Sequence, residues 1–204
     1  MRRFVDRLLL VVAVLSVVAA MGAAQDKPAD KPAAAGSMSV PGPRGEFLDE
    51  VAYYEQRFTR LADAIPADKY TWRPAEGVRS IGEVYAHVVA ANYGFAKMLG
   101  TDFPAGVDPK AILASAGDKG KIEQELKDSF AQMRAAILAI KDSDLEKPMK
   151  LPGNRQSTAR GAFIFITGHY GEHLGQSIAY ARQIGIVPPW TEERLKQEAT
   201  KPKQ

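Results

Sequence analysis

The sequence contains no cysteine and only three histidines among 204 residues. The absence of cysteine excludes disulfides and thiolate chemistry, so the fold must depend on its apolar core alone. With 27 basic against 24 acidic residues and no basic stripe interleaved with aromatics, the chain is not expected to bind nucleic acid. No segment shows the pattern of a β-strand. Few residues remain that could carry chemistry, and the histidines come first among them.

The first 24 residues are typical of a secretory signal peptide. Three arginines precede an apolar run from Leu8 to Ala20, and the small residues 22–24 offer a cleavage site after Ala24. A retained membrane anchor is the alternative, although the run is short for a span of about 20 residues. Lipoprotein attachment is excluded because it needs a cysteine. Cleavage would make the protein periplasmic or secreted, with no membrane contact and with a nearly balanced charge.

Four amphipathic segments follow a linker over residues 25–43 that is rich in Ala, Pro and Lys and is predicted to be disordered. Apolar residues at steps of 3 and 4 predict helices over about 45–65, 81–98, 118–141 and 157–184. Ser80 and Glu83 predict a capping box before the second helix. These segments predict an all-α four-helix bundle over residues 44–190, followed by a polar tail over 191–204 that frays. The inter-helix connections are long, so at least one sequential pair should run parallel.

Two of the three histidines lie four residues apart on the fourth helix. His169 and His173 share a face with apolar residues and with Gln176 and Tyr180, so polar rings replace core residues there. Burying such groups without partners costs about 1–3 kcal/mol each. The third histidine, His87, lies beside the apolar seam of the second helix and is expected to face inward. A metal ion would satisfy all three rings, whereas hydrogen bonds to carbonyls are the alternative.

The fourth helix also carries glycines on one face. Gly168, Gly171 and Gly175 share that face with Ala179, roughly a quarter turn from the histidines. Each glycine inside a helix costs up to about 1 kcal/mol relative to alanine. Close helix approach, within the bundle or across a homodimer, is one explanation, and tolerated small residues on an ordinary packed face are the other.

An ordered set of motifs resembles the DinB/YfiT-like superfamily of four-helix bundles, over about residues 44–190. The set consists of Trp72-Arg73-Pro74, Gly77 to Glu83, His87, the pair His169 and His173 with Gly175-Gln176, and Gly185 to Pro189. The resemblance implies that His87, His169 and His173 bind a divalent metal. Members of this family have been assigned as divalent-metal proteins, some of them transferases or isomerases acting with small thiols, and many have no known activity.

Three neutral imidazoles suit zinc or nickel, with iron or copper as alternatives, and they leave coordination positions open. Tyr170 follows the first histidine of the pair, where the zinc-protease HExxH motif has glutamate, so a metalloprotease is not expected. The sequence leaves two functional classes open. One is an exported metal-dependent hydrolase or transferase with a small-molecule substrate, and the other is a metal-binding or structural module without turnover.

Further residues are weaker candidates for the site. Gln176 and Tyr180 could orient a ligand or a bound water, or simply pack in the seam. Glu172 lies about 100° around the helix from each histidine, so it is either solvated or supports a ligand from behind. Pocket-lining candidates, with loop anchoring as the alternative, are Tyr85, Asn92, Trp72 and Arg73. An open cleft at the histidines would favour an enzyme, whereas a sealed metal would favour the module.

Overall fold

The computed structural model describes residues 40–201. The predicted signal peptide (1–24), the predicted linker up to residue 39 and residues 202–204 lie outside the described residues. The helices are α1 (Pro43–Ala64), α2 (Ile81–Met98), α3 (Pro109–Ala114), α4 (Lys119–Ala139), α5 (Ala159–Gln183) and α6 (Pro189–Ala199), and the strands are β1 (Pro148–Leu151) and β2 (Arg155–Thr158). Short 3₁₀ turns lie at Ala67–Lys69, Asp142–Asp144 and Pro152–Asn154. Within residues 40–201 no helix combines the length and apolarity needed to cross a membrane.

The four long helices α1, α2, α4 and α5 enclose one apolar core, as predicted for a four-helix bundle. Helices α1 and α2 each pack against both α4 and α5. Aromatic rings fill the centre. The centre of the Phe58 ring lies 6.1 Å from that of Phe130 and 6.4 Å from that of Tyr170, and all three residues are fully buried. Rings of this size contribute much of the buried area in a core. That this core holds the bundle without disulfides or a metal stays a prediction.

Helices α2 and α4, which are consecutive among the long helices, run parallel. Near the middle of both, the Asn92 amide donates to the Ser129 hydroxyl at 3.1 Å. At the C-terminal ends of the two helices, Leu99 and Ala139 line the same small cavity. The two contact points advance in the same sense along the two helices, so the connection through α3 must return the chain to the starting end. The expected parallel pair of sequential helices is therefore present.

The start of α2 is fixed by two devices. The Ser80 hydroxyl accepts from the Glu83 backbone N–H at 3.2 Å, and the Ser80 N–H donates to the Glu83 carboxylate at 2.6 Å, which confirms the predicted capping box. Gly82 then allows a close approach, because a Cβ at this position would lie 1.8 Å from the Ala116 carbonyl oxygen. Together these residues set where α2 begins and hence where His87 lies.

The C-terminal segment is helical where a fraying tail was predicted. Residues 189–199 form α6, which begins with Pro189 at its first position. The Arg57 guanidinium carbon lies 4.3 Å from the centre of the Trp190 ring, and Glu193 forms an ion pair with Arg60 of α1. The prediction was wrong for residues 191–199, because these contacts with α1 hold a segment that is too polar to predict as part of the core.

Three other elements were not predicted. The connection after α4 contains an antiparallel hairpin of β1 and β2, in which Gly153 and Asn154 take positive φ values of 73° and 60°. Thr158 ends this hairpin and caps α5 by accepting from the Gly161 N–H at 3.1 Å. The long connection predicted between the second and third helices contains the short helix α3. Each of these elements has six residues or fewer, too few to show a clear hydrophobic period.

The glycine face of α5 is turned outward. Gly168, Gly171, Gly175 and Ala179 are all exposed. A Cβ at Gly171 would approach the Tyr54 hydroxyl at 3.3 Å, whereas a Cβ at Gly168 or Gly175 would meet no atom within 4 Å. Close approach within the bundle therefore concerns Gly171 only. A homodimer contact on this face stays a prediction.

Candidate metal centre

The three histidines converge between α2 and α5, which run antiparallel. Phe95, two turns after His87 on α2, lies 5.8 Å from Phe165 and 5.1 Å from His169 on α5. The His87 ring lies 5.2 Å from His169 and 4.7 Å from His173, centre to centre. One ligand atom from each histidine lies within 4.8 Å of the others. The expected convergence of the three rings is thus present in the structure.

The spacing of the ring nitrogens fits a metal ion. His169 Nε2 and His87 Nε2 are 3.2 Å apart. Two ligands bound at about 2.0–2.1 Å in a tetrahedral arrangement are separated by about 3.3 Å. The donors are all imidazoles, and within residues 40–201 no carboxylate joins the group. This ligand set suits zinc and the neighbouring transition metals and is a poor match for calcium or magnesium.

Gln176 determines which nitrogen of His173 faces the other histidines. Its side-chain N–H donates to the Tyr180 hydroxyl at 3.0 Å, so its carbonyl oxygen points to His173 Nδ1, also at 3.0 Å. An amide oxygen can only accept, so Nδ1 carries the proton and Nε2 keeps a free lone pair. Ligating histidines usually have such a partner behind them. The orienting role predicted for Gln176 and Tyr180 matches this geometry.

His169 is held differently. Its Nδ1 is buried and has no hydrogen-bond partner among residues 40–201. The edge-on contact with Phe95 positions the ring by packing instead. His169 therefore has less polar support than His173 has from Gln176.

The environment keeps two of the rings neutral. Burial lowers the pKa of His87 to about 4, with a further contribution from the Arg79 guanidinium. Burial also lowers the pKa of His169 to about 3, with His173, His87 and Arg79 acting in the same direction. At neutral pH both rings are therefore unprotonated, which is the form that binds metal.

A sequence model of the DinB superfamily matches residues 52–177, which is more than half of the chain. The chain belongs to the DinB superfamily. A search of curated proteins found no match. The resemblance inferred from the motifs is confirmed.

Three solved structures share the fold of this DinB superfamily member. A DinB-like protein from Bacillus cereus has a TM-score of 0.61 and 19% identity, with 70% of this chain and 93% of that chain covered. The DinB-like protein YjoA from Bacillus subtilis has a TM-score of 0.54 and 17% identity, with coverages of 70% and 94%. YfiT from Bacillus subtilis has a TM-score of 0.56 and 14% identity, with coverages of 71% and 89%, and is described as a probable metal-dependent hydrolase with an unusual four-helix bundle topology.

In this DinB-like bundle, one of the predicted pocket residues reaches the site through Tyr180. The Trp72 ring packs edge-on against Tyr180 at 5.7 Å, and Tyr180 is linked through Gln176 to His173. The loop that carries Trp72 therefore lies beside the C-terminal part of α5, which follows the two histidines.

The other predicted residues are engaged elsewhere. Asn92 is buried in the core, where it accepts from the Tyr170 hydroxyl at 2.8 Å, and Tyr85 is fully buried against the aromatic centre. Arg73 pairs with Glu83 at 3.1 Å and donates to a loop carbonyl, so it anchors the loop. Glu172 is exposed and does not join the donor group. Arg73 thus takes the loop-anchoring role named as its alternative, whereas the core positions of Asn92 and Tyr85 were not predicted.

Arg79 is the residue near the site that the sequence analysis did not single out. It is exposed, and its charge acts on both His87 and His169. The sequence offered no signal for it, because Arg79 precedes Ser80, the N-cap of α2, and helical periodicity does not place a residue outside the helix.

Proposed function

We propose that this protein is a metal-dependent hydrolase that holds a divalent cation with His87, His169 and His173. The observation that carries the proposal is the group of three imidazole donors, on two different helices, within 4.8 Å of one another. The likeness to YfiT supports the reaction class, since that protein is described as a probable metal-dependent hydrolase. Zinc or nickel is the proposed metal, with iron or copper as alternatives.

A divalent cation bound by three imidazoles supplies a Lewis acid that polarises a carbonyl or lowers the pKa of water. The residues of the chain supply the rest. Burial keeps His87 and His169 neutral, and the Gln176 carbonyl holds the Nδ1 proton of His173 so that its Nε2 faces the other rings. Three protein ligands leave a position for substrate, which is the pattern of catalytic rather than structural zinc sites.

The accessibility of the triad favours an enzyme over a structural module. His173 is 6% exposed, but His87 and His169 are only partly buried. A purely structural metal is normally enclosed by its protein ligands. The partly exposed rings leave a path for a small-molecule substrate, which is the partner we propose.

Export is part of the proposal and rests on the leader pattern of residues 1–24. Small reduced thiols are chiefly cytosolic, whereas exported compartments are oxidising. A periplasmic or secreted protein would meet few thiol co-substrates, which favours hydrolysis over thiol transfer.

The test is metal analysis of the purified protein, followed by a screen against ester, amide and phosphate substrates. We expect about one metal ion per chain and a hydrolytic activity that His173→Ala abolishes, while His173→Ala retains helical far-UV circular dichroism. An exposed residue of the same helix, Gln183→Ala, is the matched control and should keep both metal and activity. One metal ion per chain with no turnover on any substrate class would favour the non-catalytic module. Failure of the wild type to bind any of the four metals would refute the metal site.

A further inference from the structure

A divalent cation held by the three histidines would carry a positive charge that no ligand compensates. Three neutral imidazoles leave the full charge of a divalent cation, and within residues 40–201 no carboxylate belongs to the donor group. Bound cations are often the largest local charges in a site and control what can bind beside them. A site of this composition attracts anions and repels cations.

Arg79 adds to that charge from the loop between α1 and α2. It directly precedes Ser80, the N-cap of α2, and His87 lies seven residues beyond that cap, about two turns and about 10 Å along the helix. The guanidinium is exposed, and it belongs to none of the ion pairs formed within the described part of the chain. Its charge therefore remains available to a ligand.

The loop that carries Arg79 has a defined position beside the histidines. Its backbone is bonded to the start of α2 by the Ile81 N–H, which donates to the Trp72 carbonyl at 3.0 Å. On the opposite side, Trp72 packs on Tyr180, which is linked through Gln176 to His173. The neighbouring cation, Arg73, is already paired with Glu83, so it does not compete for the same ligand.

We propose that Arg79 anchors the substrate and that the substrate is a small oxyanion, with its carboxylate or phosphate placed between the guanidinium and the three histidines. This inference rests on the proposed metal site and adds the substrate class to it. Arginine suits the role because its planar fork of donors matches carboxylate and phosphate oxygens. Trp72, which packs on Tyr180 beside the link from Gln176 to His173, would offer an apolar surface to the rest of the ligand.

The experiment measures anion binding by the cobalt-loaded protein, using its visible absorption and calorimetry. The probes are acetate, inorganic phosphate, uncharged acetamide and methylammonium, so that the two oxyanion types are compared with neutral and cationic controls. The variants are Arg79→Gln and Arg79→Lys. Arg160→Gln is the matched control, because Arg160 is an exposed arginine at the opposite end of α5, paired with Glu146.

We expect the wild type to bind acetate or phosphate but neither acetamide nor methylammonium. Arg79→Gln should weaken the anion by about fivefold, the upper range for a solvent-exposed charge pair, and added salt should reduce that difference. Arg79→Lys should keep most of the affinity, and Arg160→Gln should match the wild type. Cobalt affinity should not fall in Arg79→Gln, because removing a cation does not disfavour a metal ion.

Equal anion affinity in Arg79→Gln and wild type, with cobalt bound by both, would overturn the anchoring role and leave the metal site intact. Equal binding of acetamide and acetate would overturn the oxyanion class. Failure of the wild type to bind cobalt would instead refute the proposed metal site, and this inference with it. Tighter binding of acetate than of phosphate would identify a carboxylate substrate, and the reverse order a phosphate ester.

Discussion

Replacing Gln176 tests whether the histidine site is built for a metal or is simply part of the core. The Gln176 carbonyl oxygen lies 3.0 Å from His173 Nδ1, and leucine at this position fills similar space without accepting that proton. Losing the partner of a ligating histidine typically lowers metal affinity 10- to 100-fold, or about 1.4–2.7 kcal/mol. Because metal stabilises the native state by RT ln(1 + [L]/Kd), the same amount disappears from the metal-dependent stability.

For a domain of this size, that loss corresponds to about 3–10 °C in melting temperature at fixed excess metal. The assays are zinc titration by competition calorimetry, and thermal unfolding with zinc or with chelator. Gln176→Glu should retain affinity, because a carboxylate also accepts the Nδ1 proton. Gln183→Leu, an exposed position on α5, should behave as the wild type. If Gln176→Leu binds zinc as tightly as the wild type, the orienting role is refuted and Gln176 is a packing residue.

Four other predictions can be tested on the same protein. His173→Ala should remove the effect of chelator on the melting temperature while far-UV circular dichroism stays helical, and loss of helix in the metal-free chain would contradict a self-sufficient core. The pKa values of His87 and His169 are lowered to about 4 and about 3 in the folded chain. Below about pH 6.5 these two histidines therefore become protonated in the unfolded chain while they are still neutral in the folded chain. Stability from the neutral rings should be complete above pH 6.5 and fall towards pH 4 and 3 in urea titrations of the metal-free protein, whereas a flat profile would contradict the shifts. Asn92→Ala should cost about 1–3 kcal/mol in urea unfolding, because the buried Tyr170 hydroxyl loses its acceptor, with zinc affinity unchanged. Mass spectrometry of the protein from an exporting host should find Gln25 as the first residue, and an intact leader would place the domain on the membrane.

The sequence was informative wherever a local pattern has one physical explanation. Ser80 and Glu83 are three residues apart, and the capping box they form depends only on that spacing. His169 and His173 had to share a face because four residues make about one turn. Gln176 and Tyr180 continue that face, so their link to His173 followed from the same periodicity.

What the sequence could not supply depends on tertiary contacts. The polar α6 is held by Trp190 against Arg57 of α1, a contact across more than 130 residues. The hairpin strands have four residues each, which is too short to distinguish from a loop. Arg79 was missed because its place beside the histidines depends on how the loop folds back on α2.

The helix arrangement has a consequence for how the site comes together. The two ligands on α5 are one turn apart, so an isolated α5 segment already presents two of the three donors. His87 is separated from His169 by 82 residues and arrives only when α2 has packed against α5. A chain that has formed α5 but not closed the bundle would therefore hold a metal ion weakly, with two nitrogens. Tight binding, which needs the third nitrogen, would report that α2 has docked on α5. Metal affinity would then also measure the completeness of the fold.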